Sequence, residues 1–368
     1  MTSPSPARRL RVTVVSDVPA SLDGTNGFGG RLVGLLIGLA DVHDVSLVTV
    51  AGNPDPLGLS ATSAVRPWRS LPGPGPVDLR PLLTKVRRLL SPSTPYMCQV
   101  PAGPLAEVIA QTRPDVVVVH LPYLAHVLRR LPHGVPVVAL LEEGWERLSP
   151  PTHGPVRRLL RHWDARRTAS LYRQVAERAF LATAISEQEQ AWFARYGLRT
   201  RVLPHAVDPE HFAPLPAPAP DIDVAVFGDL SRDRNWLPAR DVVLVARRRT
   251  DWRWGFVGRS GPGIEQLAGP GDVVTGLVPD VRPFYPRAKA VLVPADAGTG
   301  VKTTVLQAWA AGRPVVVSRH ATIGLAVEPG VNALVADSPD HAVVLLERVL
   351  TDTGLADALG RAGRATVL

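Results

Sequence analysis

The chain is poor in cysteine. Among its 368 residues there is one, Cys98, so an intrachain disulfide and a cysteine-rich metal site are both excluded. A lone thiol reads as a small buried apolar residue. Long hydrophobic runs are also missing. No stretch approaches the roughly 18 uncharged apolar residues that a membrane-spanning helix needs. The opening residues, MTSPSPARRLRVTVVSD, lack the apolar region of about 7–15 residues that marks a secretory leader. The expectation is a cytoplasmic protein, at most held at the inner face of a membrane. Aromatic residues make up 5% of the chain. Neither an arginine-rich tail nor an RNA-binding aromatic signature is present, which argues against nucleic acid as a partner.

What is present is ordinary globular composition, 45% hydrophobic and 20% charged, with 41 Lys+Arg against 33 Asp+Glu. The formal net charge of +8 suits polyanions such as nucleoside diphosphates or acidic lipid. The length suits two domains.

Apolar runs alternate with helical patterns, which predicts parallel sheets covered by helices. Arg11–Ser16, Val45–Val50, Asp115–His120 and Pro136–Leu141 read as strands buried on both faces. A glycine-rich turn at Gly24–Gly30 is expected to precede a helix at Arg31–Ala40. Pro155–Ala179 reads as a long helix carrying Arg157, Arg158, Arg161, Arg166, Arg167, Arg173 and Arg178. Such a helix either covers the sheet or docks on anionic lipid, and the covering role is preferred. The segments Pro54–Pro76 and Ser91–Pro104 carry no readable pattern. Ala213–Pro220 (APLPAPAP) alternates proline and is a stiff spacer. The expected organisation is therefore residues 1–212, a linker at 213–220, and residues 221–368. In the second half, strands are expected at Asp223–Phe227, Trp254–Val257, Asp272–Thr275, Ala290–Val293 and Pro314–Val317. Helices are expected at Val281–Arg287 and Val301–Ala311, among others.

Ligands of open α/β sheets bind outside the carboxyl ends of the strands. Gly298-Thr299-Gly300 precedes the helix expected at Val301–Ala311, with Lys302 and Thr303 in its first turn. A helix N-terminus offers free N–H groups and a positive dipole end to an anion. A lysine there opposes the dipole and needs an anionic partner. Arg259 follows a strand in a Gly-Arg-Ser-Gly loop and is a second candidate clamp on a diphosphate. Asp280 either caps the helix after it or, with Val281 and Arg282, lies near a ligand. The loop Gly27–Gly30 (GFGG) does not fit the dinucleotide fingerprint, and no acidic residue ends the second strand at Val50, so a nicotinamide cofactor is not expected.

The stretch Val291–Ser318, VLVPADAGTGVKTTVLQAWAAGRPVVVS, resembles the donor-binding region of family-4 retaining glycosyltransferases. Other pieces agree in order: Val202–Phe212, Val224–Gly228 with Arg234-Asn235, Val273–Tyr285, Gly324 and Gly330–Asp337. The resemblance is convincing from about residue 180 to 365. It implies the GT-B fold, two Rossmann-like α/β domains with parallel sheets facing a central cleft. It implies sugar transfer from a UDP-, GDP- or dTDP-sugar to an acceptor hydroxyl, with retention at the anomeric carbon. No metal and no further cofactor are expected, and the acceptor is a small molecule, a glycan or a lipid-linked compound. The donor-binding residues it implies are Gly29, Gly30, Gly228, Arg259, Thr299, Gly300, Lys302, Thr303 and Gln307. It places His120 near the reaction centre. Glu142 and Glu143 end the strand Pro136–Leu141 and are expected at the cleft rim, where one of them orients the acceptor hydroxyl, and Glu143 is chosen alongside His120 as catalytic.

The sequence departs from the family in two places. Thr299 and Gln307 stand where many members have a pair of glutamates, the second of which holds the ribose. Glutamine keeps hydrogen-bonding capacity without charge. A catalytically degenerate homologue that binds a nucleotide sugar or a partner protein is therefore the second reading, and a nucleotide-sugar hydrolase or epimerase a third. The resemblance also implies a last helix crossing back to the first domain, which a chain ending at Leu368 does not reach, so closure would rest more on the linker.

Overall fold

The computed structural model describes residues 8–16, 27–49, 65–70, 102–121, 124–142, 155–216, 219–296 and 300–368. Two α/β units follow one another along the chain. The first unit contains β1 (Arg11–Ser16), α1 (Gly27–Val42), β2 (Asp44–Thr49), β3 (Val65–Ser70), α2 (Ala102–Gln111) and β4 (Val116–Leu121). It continues with β5 (Val137–Leu141), α3 (Pro155–Arg178), β6 (Leu181–Ala184), α4 (Glu187–Ala194) and β7 (Thr200–Val202).

These strands form one parallel sheet of seven, ordered β3-β2-β1-β4-β5-β6-β7. The valine-rich strands are buried on both faces, as helix-covered parallel strands must be. Alternation along each strand sorts the side chains. Val117, Val119, Val137, Ala139 and Leu141 join the core under α2 and α3, with Ile109, Leu171, Tyr172 and Val175. Val118, His120, Leu140 and Glu142 therefore belong to the opposite face. The chain steps one way from β1 to β2 and the other way from β4 to β5. Right-handed crossovers then put α1 on that opposite face.

β3 carries Pro67, which offers no N–H to a ladder, and it lies at the sheet edge where this costs least. Its pairing with β2 shifts register between Leu47 and Val48, leaving Trp68 as the extra residue.

The second unit comprises His205–Leu368 together with the segment Ser21–Gly34 that leads into α1. It holds β8 (Ile222–Phe227), α5 (Asp233–Ala246), β9 (Trp254–Val257), α6 (Pro262–Leu267), β10 (Val273–Val274) and β11 (Ala288–Val293). After them come α7 (Thr303–Ala310), β12 (Val315–Ser318), β13 (Leu334–Ala336), α8 (Pro339–Thr351) and α9 (Thr353–Val367). Six parallel strands run in the order β10-β9-β8-β11-β12-β13. Trp254, Phe256, Leu292 and Val316 meet Val242 and Val243 of α5 and Leu345 and Leu346 of α8 in one core.

α9 packs against α7 through small residues. A Cβ at Gly360 would collide with the Gly312 carbonyl, and one at Gly363 with the Trp309 ring. The Trp309 indole N–H donates to Asn332 O at 2.7 Å. Arg364 donates to Ala310 O and to Pro209 O.

Several expected elements differ in detail. The glycine run Gly27–Gly30 is the first turn of α1, not a loop before it. The helix expected from Val301 begins at Thr303, because Lys302 has φ −81° and ψ 89°, outside helical geometry. Val281–Arg287 yields only a 3₁₀ turn at Arg282–Phe284, with Pro283 in its first turn. α2 and β3 arise in or beside the unreadable segments.

Candidate functional site

In both sheets the strand order reverses direction once, between β1 and β4 in the first and between β8 and β11 in the second. Loops leaving the carboxyl ends on the two sides of such a point diverge and leave a crevice, the usual ligand position of open α/β sheets. Most of the expected site residues among the described ones fall beside one of these two points.

In the first unit, His120 lies near the end of β4, facing away from the core under α3. Glu142 follows the last residue of β5. Leu140 pairs with His120 in register, so Glu142, two residues on, reaches the same face. His120 Nε2 stands 3.3 Å from Glu142 Oε1. The two residues are 7% and 3% exposed, so Glu142 is not the rim carboxylate expected from sequence but half of a buried pair. Glu143 lies outside the described residues. Gly29 is buried, and Gly29 and Gly30 sit in the first turn of α1, whose N-terminal end is at the carboxyl edge of the same sheet.

In the second unit, β8 and β9 end at Gly228 and Gly258, with φ of +135° and +117°. No side chain fits at Gly258, since a Cβ there would overlap the Gly228 carbonyl oxygen. The two strand-end loops are tied together. Gly228 N–H donates to Val257 O at 2.9 Å, and Leu230 N–H to Arg259 O at 2.7 Å. Gly258 N–H donates to Thr275 Oγ1 at 3.1 Å, which brings in the loop after β10. Arg259 is exposed, and among the described residues its guanidinium has no hydrogen bond or ion pair. Asn235 Nδ2 donates to Asp229 O at 2.8 Å and secures the loop that enters α5.

Across the reversal point, β11 leads through Pro294–Asp296 to Gly300 and Lys302 at the start of α7. Thr299 lies outside the described residues. Lys302 is the residue before the first helical turn, and Thr303 opens that turn. The N-terminal N–H groups of a helix point outward along its axis. Here that axis starts at the carboxyl edge of the sheet.

Gln307 is buried, and its Oε1 accepts the Tyr285 hydroxyl at 3.0 Å. The Tyr285 ring stacks on Phe227 at 4.1 Å between centroids. Burial pushes the Tyr285 phenol well above its ordinary value. Phe227, Tyr285 and Gln307 thus join the end of β8 to α7 in one packed unit, which the sequence alone did not announce. A stacked pair of this kind contributes about 0.5–1.5 kcal/mol beyond its area.

Asp280 closes the loop after β10. Burial works to raise its carboxyl, and this is outweighed by the Arg282 guanidinium and backbone N–H, so it ends below its ordinary value. Arg282 also reaches His211 O at 3.3 Å. The capping role weighed for Asp280 is thus seen in a local form, its Oδ1 accepting the Arg282 N–H.

A cavity of 410 Å³ opens at the carboxyl ends of β11, β12 and β13, bounded by Pro294, Asp296, Arg319, His320 and Asp337 over Leu292. It stands to one side of the β8–β11 crevice, and Arg319 is committed to Asp337 at 2.6 Å.

In the basic helix α3 the side chains of Arg157, Arg158 and Arg161 lie outside the described residues, and the rest of the helix packs on the sheet. Arg167 is buried, and Arg178 donates to Pro132 O and Val135 O, while Arg166 and Arg173 remain exposed. Among the described residues no helix is long and apolar enough to cross a membrane.

Two family models match the chain. A glycosyl transferase 4-like domain covers residues 26–206 and a model of glycosyl transferases group 1 covers residues 223–352. No curated protein matches. Solved structures match over nearly the whole chain. Sucrose-phosphate synthase from Thermosynechococcus elongatus has a TM-score of 0.70 at 17% identity, over 98% of this chain and 94% of that one. Anabaena Alr3699/HepE, solved with UDP-glucose, has 0.68 at 16%, over 98% and 94%. Trehalose-6-phosphate synthase OtsA has 0.68 at 14%, over 97% and 95%. With two matched family models, one on each α/β unit, and this shared architecture, the chain belongs to the family-4-like glycosyltransferases and has the GT-B fold.

Proposed function

We propose that the enzyme transfers a sugar from a nucleoside-diphosphate sugar to an acceptor hydroxyl with retention of anomeric configuration. The observation that carries this reading is the β8–β11 reversal point. There the closely apposed ends of β8 and β9, the exposed Arg259 and the N-terminal end of α7 with Lys302 converge on one edge of the sheet. The donor diphosphate gains negative charge as the sugar leaves. Fixed N–H dipoles and cations at that position stabilise it without reorganising. The same groups make a metal unnecessary. Gly228, Gly300, Thr303 and Thr299 bring backbone and hydroxyl groups to the phosphates. Gly29 and Gly30, at the N-terminal end of α1, are assigned to the same donor. The complex of Anabaena Alr3699/HepE with UDP-glucose supports a nucleotide-sugar donor.

Retention is explained by front-face attack, in which the leaving phosphate takes the acceptor proton and no protein nucleophile is formed. His120 contacts the sugar at the reaction centre, and Glu143 orients the acceptor, which is a small molecule, a glycan or a lipid-linked compound.

One observation favours the second reading, binding without turnover. Gln307 is buried and spends one lone pair of its Oε1 on the Tyr285 hydroxyl, leaving it less to offer a ribose than a glutamate directed at the ligand.

The test is a panel of UDP-, GDP- and dTDP-sugars. A bound nucleotide at 100 times its Kd raises stability by about 2.7 kcal/mol, visible as a thermal shift. Nucleotide release with a trapped acceptor, and the anomeric proton coupling of the product, then report transfer and stereochemistry. Binding without any nucleotide release across the panel would establish the second reading. No thermal shift with any nucleotide would remove the donor-site reading altogether.

A further inference from the structure

Burying a histidine and a carboxylate together is expensive unless each satisfies the other. His120 and Glu142 are 7% and 3% exposed, 3.3 Å apart, on adjacent parallel strands, and on the face that does not carry the main core. β4 is also one of the two strands that flank the reversal point of its sheet. The neighbouring positions on the same face, Val118 and Leu140, are apolar and buried. A leucine in place of Glu142 would continue the pattern of β5. A buried, mutually directed acid–base pair at a ligand-binding edge is the arrangement that fixes how an imidazole presents itself to a substrate.

We infer that Glu142 is a positioning residue for His120. Its Oε1 accepts the His120 Nε2–H, which fixes the tautomer and the ring orientation at the β1–β4 crevice. The role given to His120 above then depends on a carboxylate from the next strand and not only on the histidine. This rests on the proposed reading of His120 as a residue of the reaction centre. Glu142, one of the two carboxylates weighed for an acceptor contact, acts through the histidine instead.

The test uses the full chain, with E142Q, E142L, H120A and the double variant H120A/E142Q. E142Q keeps an oxygen acceptor of the same size while removing the charge. It is expected to lower kcat by about tenfold or more and to change the donor KM by less than about twofold. The melting temperature should stay within a few degrees of the parent. Adding E142Q to H120A should cause no further loss of kcat, because the carboxylate contributes to turnover through the ring. A purely structural Glu142 gives the opposite pattern: E142L as active as the parent, or losses from H120A and E142Q that multiply. Either result overturns the inference.

Nitrogen-15 spectra of histidine-labelled protein provide a readout that needs no activity. His120 should carry its proton on Nε2 in the parent, and its ring shifts should move in E142Q. If the parent shows no sugar transfer yet has this tautomer, the functional reading fails while the pair stands. If His120 carries its proton on Nδ1 alone, the inference fails whatever the activity.

Discussion

Replacing Gly258 with alanine tests the apposition of strand ends on which the donor site is built. The backbone at Gly258 has φ +117°, a region that non-glycine residues enter at a cost of about 1–3 kcal/mol. The added Cβ would also stand 3.0 Å from the carbonyl carbon of Gly228 and closer still to its oxygen. That oxygen is backbone and cannot rotate away, so the loop after β8 must shift. Overpacking of this kind costs about 1–3 kcal/mol. The sum is about 2–5 kcal/mol. Urea unfolding followed by tryptophan fluorescence measures it, and with a slope of about 3 kcal/mol per molar the midpoint falls by roughly 1 M. The control is Gly276→Ala, where φ is +65° and nothing lies within 4 Å of the new Cβ. Conformation alone costs about 1–2 kcal/mol there. Nucleoside diphosphate affinity, measured at a temperature where both variants are folded, should fall for G258A and hold for G276A. Equal midpoints for the two variants would refute the claim that the contact between the Gly228 and Gly258 backbones shapes this edge.

The other predictions concern the same unit. Arg259→Ala and Lys302→Ala each remove a cation from the proposed diphosphate site, and calorimetry should show UDP or GDP affinity weakened about 10–100-fold, the equivalent of a charge-assisted hydrogen bond. Asn332→Ala strips partners from Glu328 N–H, Ala326 O and Thr366 Oγ1 in a buried position, and thermal denaturation should show a loss of about 2–4 kcal/mol. Tyr285 provides a pH test. Its folded phenol is raised above the unfolded value of about 10, so the stability tied to its neutral form is complete below pH 10 and is lost as pH rises beyond it. Alkaline unfolding of Tyr285→Phe should therefore be less steep above pH 10, although the variant is weaker at neutral pH for want of the hydrogen bond to Gln307.

Much of the fold was legible because burial on both faces leaves little freedom. A run such as Val116–Val119 has few other places to go than a covered parallel strand. β3 was hidden because Pro67 and a register shift break its pattern. Helix starts were displaced where local geometry is decided by neighbours. Lys302 lies outside helical φ/ψ although its sequence continues the helix pattern, and the glycines Gly27–Gly30 enter a helix that their own propensity disfavours. At the candidate site, the places of Gly228, Arg259, Gly300 and Lys302 at strand ends and before a helix were legible because strand-end glycines and a helix start have recognisable spacing. The His120–Glu142 pair was harder to see. Each residue was marked singly, but their contact depends on which strands become neighbours, and Glu142 was read as exposed because charged residues after a strand usually are. The Phe227–Tyr285–Gln307 group gives no local signal, since it joins three segments far apart in sequence.

The packing of α9 on α7 governs the donor edge from behind. Gly360 and Gly363 let the two helices approach until the Gly312 carbonyl and the Trp309 ring fill the space a side chain would take. Arg364 meanwhile holds the last carbonyl of α7. A helix seated in this way has little freedom to slide or tilt, so the anion-facing end of α7 is set before any ligand arrives. The fifteen residues of α9, far along the chain from Lys302, thereby act as the rear mount of the proposed phosphate site, and an inserted methyl group there would be felt as a misaligned helix tip rather than as a hole in the core.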